Sequence, residues 1–432
     1  MKQQSIPNLV YADAEGNIFD EPSVWMAGRS GADIVALREE DFMELPEGSD
    51  FYFLPNRHPV GFDKATGAPC VVKKGIAVAV QMAPAHTMYY QSAYQREADA
   101  ATLPLFAYTA VGWKDGKYYV PARRVDPDIR QEPLSFDQEK VKASVLAWQK
   151  RFPDNRLLAH IGNNCALTYF CPAARNFFLH RYEAPIPSSP ACNANCIGCI
   201  SFQPETEEIR STQDRLTFKP SVQEITEYAV EHLETVPRPI VSFGQGCEGE
   251  PLLMWETIRD AIREIRKKTQ KGSININTNG SLPKAVEALC KAGLNSIRVS
   301  TNSVRPEIYN AYYLPNNYQF GALAESVKTV RRYGGWASLN YFVFPGMSDD
   351  PREYEALRQF IRETDLSMIQ WRNFNIDPDW YLEKIHYEPP AMPPMGVSVL
   401  MDKIQEEFPH LTYGYFNPPI EKIRERLSAA SR

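Results

Sequence analysis

The chain of 432 residues reads as an α/β protein. A partial barrel of parallel strands and helices follows a mixed, strand-rich α+β region and precedes a short extension. Three observations predict this. From about residue 220 to residue 375, strand-like and helix-like stretches alternate, and such alternation implies parallel strands joined by right-handed crossovers. Four successive strands there carry polar residues at every second position, although central strands covered on both faces should be apolar throughout. Much of the proline, 34 residues in all, falls toward the two ends, which suggests irregular flanks around a regular centre.

Residues 1–155 form the first region. Asp50–Leu54 and Gly75–Val80 are short apolar runs bounded by proline and glycine, hence strands. Leu105–Trp113 and Tyr118–Val120 read as a hairpin turning at Asp115-Gly116. Val141, Val145, Trp148 and Phe152 share helical spacing, so a helix closes this region. Residues 156–184 are a bridge holding His160, Cys165, Cys171, Arg175 and His180.

Residues 185–375 carry the regular series. Ser221 and Glu224 form a capping box that opens a helix with Val222, Ile225, Ala229 and Leu233 on one face. Then follow strand 239–243 and a helix through Trp255, Ile258, Ile262 and Ile265. Strand 273–278, helix 284–292, strand 296–301, helix 320–333, strand 337–344, helix 351–363 and strand 368–374 complete the set. The polar face comprises Asn275, Asn277 and Asn279, then Arg298, Ser300 and Asn302, then Ser338 and Asn340, then Gln370 and Arg372. Burying so many unpaired polar groups would cost a few kcal/mol each, so they should line a lumen that holds a large polar ligand. Residues 376–432 are proline-rich, with Pro389-Pro390-Ala391-Met392-Pro393-Pro394 and one helix at 397–408.

The net charge of −6 argues against a nucleic-acid partner, which needs a basic footprint. No apolar stretch is long enough to span a bilayer, and the start lacks the apolar run of a signal peptide. Eight cysteines in so long a chain make no disulfide scaffold, and clustered thiols place it in a reducing cytoplasm.

Cys192, Cys196 and Cys199 stand in one short loop, spaced three residues and then two apart. Thiolates are soft ligands suited to iron–sulfur clusters and zinc, and one tight loop can wrap a single centre. No fourth cysteine or histidine follows before His232, so the site reads as open rather than as a closed structural zinc. The Cys-x3-Cys-x2-Cys loop resembles the signature of the radical S-adenosylmethionine enzymes. The resemblance covers about residues 185–375 and implies a partial, TIM-like (βα)6 barrel. It further implies that the three cysteines hold three irons of an oxygen-sensitive [4Fe–4S] cluster, while S-adenosylmethionine chelates the fourth. A reductant of the flavodoxin or ferredoxin type would supply the electron that yields a hydrogen-abstracting 5′-deoxyadenosyl radical.

By the same resemblance, Gly249-Glu250-Pro251 after the second strand receives the methionine amino group. Asn279, Ser300 and Asn302 bind carboxylate and ribose; independently of the resemblance, Arg298 shares the face of Ser300 and is placed to neutralise the carboxylate. Asn340 faces the same lumen, Gly346 keeps the glycine of the fifth strand, and Trp371, Arg372 and Asn373 occupy the adenine-associated sixth strand. The loop departs from the family at Gly198, where an aromatic residue is usual, and the fifth strand has Phe342 and Asp349 where glycine and glutamate are usual. No cysteine follows Cys290, so the cysteine-rich extension of many peptide-modifying relatives is absent.

The expected function is radical chemistry on an unidentified small-molecule or peptide substrate. Two other readings stay open: a peptide-modifying enzyme with residues 1–155 as its recognition module, and an iron–sulfur electron carrier, which would need no ligand-lined lumen. Cys165 and Cys171 read as buried apolar residues and Cys247 as packing beside the cofactor, rather than the three as ligands of a second cluster, since no fourth ligand is apparent. Cys247, if it faces the lumen, would suit a hydrogen-atom donor.

Overall fold

The computed structural model describes residues 6–205, 209–389 and 391–430. An antiparallel sheet of 13 strands spans the N-terminal region. Asp50–Leu54 and Ile76–Gln81 pair antiparallel within it. The hairpin at Asp115-Gly116 also forms, with φ of +50° and +81° at its two turn residues, the left-handed pair that an Asp-Gly turn accommodates. Its first strand is shorter than the apolar run suggested, covering only Gly112–Lys114. Leu105, Tyr108, Ala110 and Val111 instead enter four separate hydrophobic clusters. A segment that must plug several cores cannot also keep the alternation of a strand.

The helix Gln138–Arg151 starts where expected, Asp137 capping it through the Lys140 amide. Its buried Val141, Val145 and Trp148 join the core of the second half of the molecule rather than that of the N-terminal sheet. Trp148 lies 5.2 Å from Phe177, ring centre to ring centre. The bridge is helical throughout its middle, with a π-helix at His160–Thr168 and an α-helix at Pro172–Phe178 that alternation gave no reason to expect.

The second half is a parallel sheet. Numbered within it, the strands are β1 (Glu183–Ile186), β2 (Ile240–Phe243), β3 (Ser273–Thr278), β4 (Ser296–Thr301), β5 (Trp336–Val343), β6 (Met368–Asn373) and β7 (Thr412–Gly414), in that spatial order. The six expected strands are joined by a seventh from the extension, β7. β1 and β7 are the two ends of the row, so the barrel is partial. Asn417 reaches across the gap, donating to Glu183 Oε1 at 2.8 Å and to Ser242 Oγ at 3.2 Å.

Register explains the shared polar face. Asn277 pairs with Arg298, Arg298 with Ser338, Ser300 with Asn340, and Asn340 with Gln370. On the opposite face Ile274, Ile276, Ile297, Val299, Leu339 and Ile369 are fully buried under the helices, each worth roughly 1.5–3 kcal/mol. The capping box forms as read, Ser221 N donating to Glu224 and Glu224 N to Ser221 Oγ.

The two halves lock together just after β6. Arg57 donates to Asp377 at 3.1 Å and Arg29 to Asp379 at 2.5 Å, and the Leu103 amide also reaches Asp377. In the extension the helix Val397–Glu407 is present as read, and a further helix covers Ile420–Ala430. Pro390 of the proline run lies outside the described residues. Among those described, no helix is long and apolar enough to cross a membrane.

Candidate active site

Loops after β1, β2 and β3 meet at the C-terminal end of the sheet, the end at which (βα) barrels carry their chemistry. They enclose a cavity of about 440 Å³, in the size range of ligand pockets. Cys192, Cys196 and Cys199 all line it.

The cysteine loop is held by backbone bonds on two sides. Ile197 N donates to Tyr312 O and Asn195 N to Tyr313 O; Gly249 N donates to Ser189 O and Glu250 N to Ala191 O. Gly249 has to be glycine, because a Cβ there would stand 2.0 Å from the Ala191 carbonyl oxygen. Gly198 has a comparable neighbour: its Cβ would meet the Tyr312 hydroxyl at 2.9 Å. Tyr312, from the helix Pro306–Tyr313 after β4, thus packs against the loop at Gly198 and lines the cavity there. Burial pushes the Cys192 thiol up to about 11 and holds the Cys196 thiol well above the usual thiol range. Neutral thiols in a dry pocket become thiolates only beside positive charge. Arg215, 3.3 Å from Cys199 Sγ, supplies some, and a metal centre would supply far more. This donor set fits an iron–sulfur cluster.

Two glutamates organise the loop after β2. Glu250 accepts from Leu252 N at 2.9 Å, Asn279 N at 2.8 Å and the Thr278 hydroxyl, and burial pushes it up to about 7. Asn279 in turn donates to Asn193 of the cysteine loop at 2.8 Å. Glu248 was not singled out in the sequence. It accepts from Ser188 N, Ser189 N and Gln245 N at 2.7, 2.8 and 2.6 Å, and so pins the start of the cysteine loop. A charged residue within Gly246-Cys247-Glu248-Gly249 was the one hint available.

The opposite wall is cationic. Arg298 and Arg372 both donate to Gln370 Oε1, at 3.0 and 3.4 Å, and Arg372 lies 3.5 Å from the centre of the Tyr415 ring. Neither forms an ion pair with a carboxylate among the described residues. Burial, with Arg372's charge nearby, pushes Arg298 down to about 9. Nε of both arginines, Asn340 Oδ1 and Gln370 Nε2 are buried without a hydrogen-bond partner. Buried polar atoms are ordinarily satisfied, so this wall is built for a polar, anionic group.

Gly249, Glu250, Pro251, Asn279, Arg298, Ser300, Asn340 and Arg372 therefore line the same cavity as the cysteines. Asn302 and Gly346 do not. Asn302 is fully buried and donates to the Tyr381 hydroxyl at 2.9 Å. Gly346 sits against the N-terminal sheet, where an added Cβ would lie 2.1 Å from Gly31 N. Trp371 points to the other face of β6, buried against Tyr341 and Tyr413, whereas Arg372 and Asn373 line the cavity. Phe342 lines it too. Asp349 does not; its carboxylate accepts from Gly346 N and Gly396 N. Cys247 is buried beside Cys165 rather than lining the cavity, which removes the ground for a hydrogen-donor role. Phe374 and Tyr415, unremarked in the sequence, complete the lining.

A partial parallel barrel with an open three-cysteine loop at its C-terminal mouth defines a class of cofactor-binding α/β barrel. Residues 186–357 match the radical SAM superfamily, and over that stretch the chain carries a radical SAM domain. It is 26% identical over 201 residues to a GTP 3′,8-cyclase of Petrotoga mobilis, covering 46% of this chain and 53% of that protein. To the GTP 3′,8-cyclase of Aquifex aeolicus it is 27% identical over 197 residues, 45% and 58% of the two chains. The chain thus spans about half the length of the curated relatives it matches. Among solved structures, methylornithine synthase aligns with a TM-score of 0.38 at 13% identity, covering 60% of this chain and 74% of that one. Streptococcus suis SuiB bound to S-adenosylmethionine aligns with a TM-score of 0.37 at 16% identity, covering 56% and 51%.

Proposed function

We propose that the chain is a radical S-adenosylmethionine enzyme acting on an anionic small molecule or peptide, in a reducing cytoplasm and with a flavodoxin- or ferredoxin-type donor. The observation that carries this reading is one cavity with three cysteine thiols on one side and unpartnered polar atoms of Arg298, Asn340 and Arg372 on the other. Cys192, Cys196 and Cys199 would hold a [4Fe–4S] cluster, which together with S-adenosylmethionine supplies one-electron radical chemistry. Glu250 would face the ammonium of the methionine moiety, and Arg298 its carboxylate. Asn279, Ser300 and Asn340 would orient the remaining polar groups, and Tyr312 would bound the site at Gly198. Arg372 is then left for an anionic group of the substrate. GTP, the substrate in the relatives' names, belongs to that class and is the first compound to try.

Glu250 makes cofactor binding pH-dependent, and the sign follows from its value of about 7. Facing an ammonium, it must be ionised, so below pH 7 each unit costs about 1.4 kcal/mol, or tenfold in affinity; above pH 7 the curve flattens. Without the ligand the sign reverses. The folded chain holds this proton more tightly than the unfolded one, so stability falls as pH rises from 4.5 to about 7. Anaerobic calorimetry of S-adenosylmethionine binding between pH 5.5 and 8 tests this. Glu250→Gln should bind more weakly and lose the pH dependence; an equal affinity in both proteins would exclude Glu250 from the ammonium site.

Arg298→Met separates function from stability. Removing a buried, unpaired cation beside Arg372 should raise the stability of the unliganded protein by roughly 1–2 kcal/mol. Cofactor affinity should fall at least tenfold, with iron content unchanged. A lower melting temperature in this variant would make Arg298 a structural residue instead.

A further inference from the structure

Outside the cavity, the ligand atoms of His160, Cys165 and Cys247 lie within 4.8 Å of one another. Cys165 and Cys247 are each 4% exposed, with their sulfurs 3.4 Å apart. His160 Nε2 is buried and has no hydrogen-bond partner. We propose that His160, Cys165 and Cys247 form a second metal site, for a zinc-class divalent cation, separate from the three-cysteine loop.

The backbone is adapted to bring these groups together. In an α-helix, residues five apart point about 140° away from each other. His160 and Cys165 are five apart, but they lie in the π-helix His160–Thr168, whose wider turn carries both toward one side. Such turns are rare and occur frequently at functional sites. Cys247 comes from the loop after β2, next to Glu248.

Two thiolates and an imidazole are the donor set of zinc, with bonds of about 2.3 Å to sulfur and 2.0–2.1 Å to nitrogen. Tetrahedral edges between sulfurs on such an ion are about 3.8 Å, so the pair at 3.4 Å needs to open only slightly. A disulfide would need the same sulfurs to close to about 2.05 Å. No other described histidine, cysteine or carboxylate joins the group, Cys171 included, so the fourth position is open to solvent or a small ligand. The ion would tie the bridge to the loop that carries Glu248, Gly249 and Glu250.

The test is arranged so that it stands apart from the radical SAM reading. The Cys192→Ala/Cys196→Ala/Cys199→Ala protein, purified without chelator, is assayed for zinc by plasma mass spectrometry and then exchanged with cobalt. The expected result is about one zinc per chain and thiolate-to-cobalt charge-transfer absorption, both lost on adding Cys165→Ser, Cys247→Ser or His160→Gln. Should the triple variant not fold, the same three substitutions in the wild-type background must each remove zinc while leaving iron in place. Absence of zinc and cobalt binding, metal retained in Cys247→Ser, or a Cys165–Cys247 disulfide in peptide maps of fresh protein would each overturn the proposal.

Discussion

Replacing any one of Cys192, Cys196 or Cys199 by alanine is expected to abolish cluster absorbance and reduce 5′-deoxyadenosine release to the level of the enzyme-free reaction. The assay is anaerobic reconstitution with iron and sulfide, followed by dithionite and S-adenosylmethionine. The size of the effect follows from the loop. Three thiols line one cavity, and no other cysteine does, so loss of one leaves no substitute ligand among the described residues. Alanine offers no lone pair, and Cys192 and Cys196, whose thiols burial pushes up, would return to the neutral form without the full centre. Cys290→Ala, on the helix Pro283–Ala292, and Cys70→Ala, in the N-terminal sheet, are the controls and should keep full iron content. Full activity in Cys196→Ala would refute the central assignment.

Why the cysteine loop and the lumen were legible is a matter of locality. Cys192, Cys196 and Cys199 lie within eight residues, and polar alternation along β3 and β4 reports a face whatever packs around it. The boundaries Ser273–Thr278 and Ser296–Thr301 are those read from the pattern. Arg298, Ser300, Asn340 and Arg372 follow from that face alone, and all four line the cavity. Asn302 kept the parity of its strand but lies one residue beyond β4, where the chain has turned toward Tyr381. Parity holds only while the strand does.

The remainder depends on partners distant in sequence. Gly346 looks like a cofactor glycine until Gly31 is seen against it, and nothing in either stretch announces the other. Leu105–Val111 alternates too little to reveal that it feeds several cores. His160 and Cys165 have the wrong separation for one face of an α-helix, so only the π-turn shows them together. Tyr312 could not be matched to Gly198 because it arrives from a helix more than a hundred residues away.

Glu248 belongs to the same class, and its removal carries the second large effect. The side chain is 4% exposed and receives three backbone amides and the Ser188 hydroxyl, joining the start of the cysteine loop to the loop after β2. In Glu248→Ala, the buried N–H groups of Ser188 and Ser189 lose their acceptor at about 1–3 kcal/mol each, and the half-buried Gln245 N–H loses its own at a smaller cost, so the expected destabilisation is roughly 3 kcal/mol. On a chain of this size, with an unfolding entropy of about 2.1 cal/mol/K per residue, that lowers the melting temperature by roughly 3 °C. Glu248→Gln should recover part of the loss, because its one oxygen can keep the Ser188 and Ser189 bonds while its NH2 group opposes the Gln245 amide. Glu248→Asp keeps two acceptor oxygens and should be intermediate. Iron content should fall in parallel with stability across the three variants, since the segment that places Cys192 then keeps only the Gly249 and Glu250 amide bonds on that side. Thermal unfolding and iron analysis on the same samples decide the matter. If Glu248→Ala kept the wild-type melting temperature and iron content, the carboxylate would be a bystander. The cysteine loop would then be held by its backbone bonds to Tyr312, Tyr313, Gly249 and Glu250.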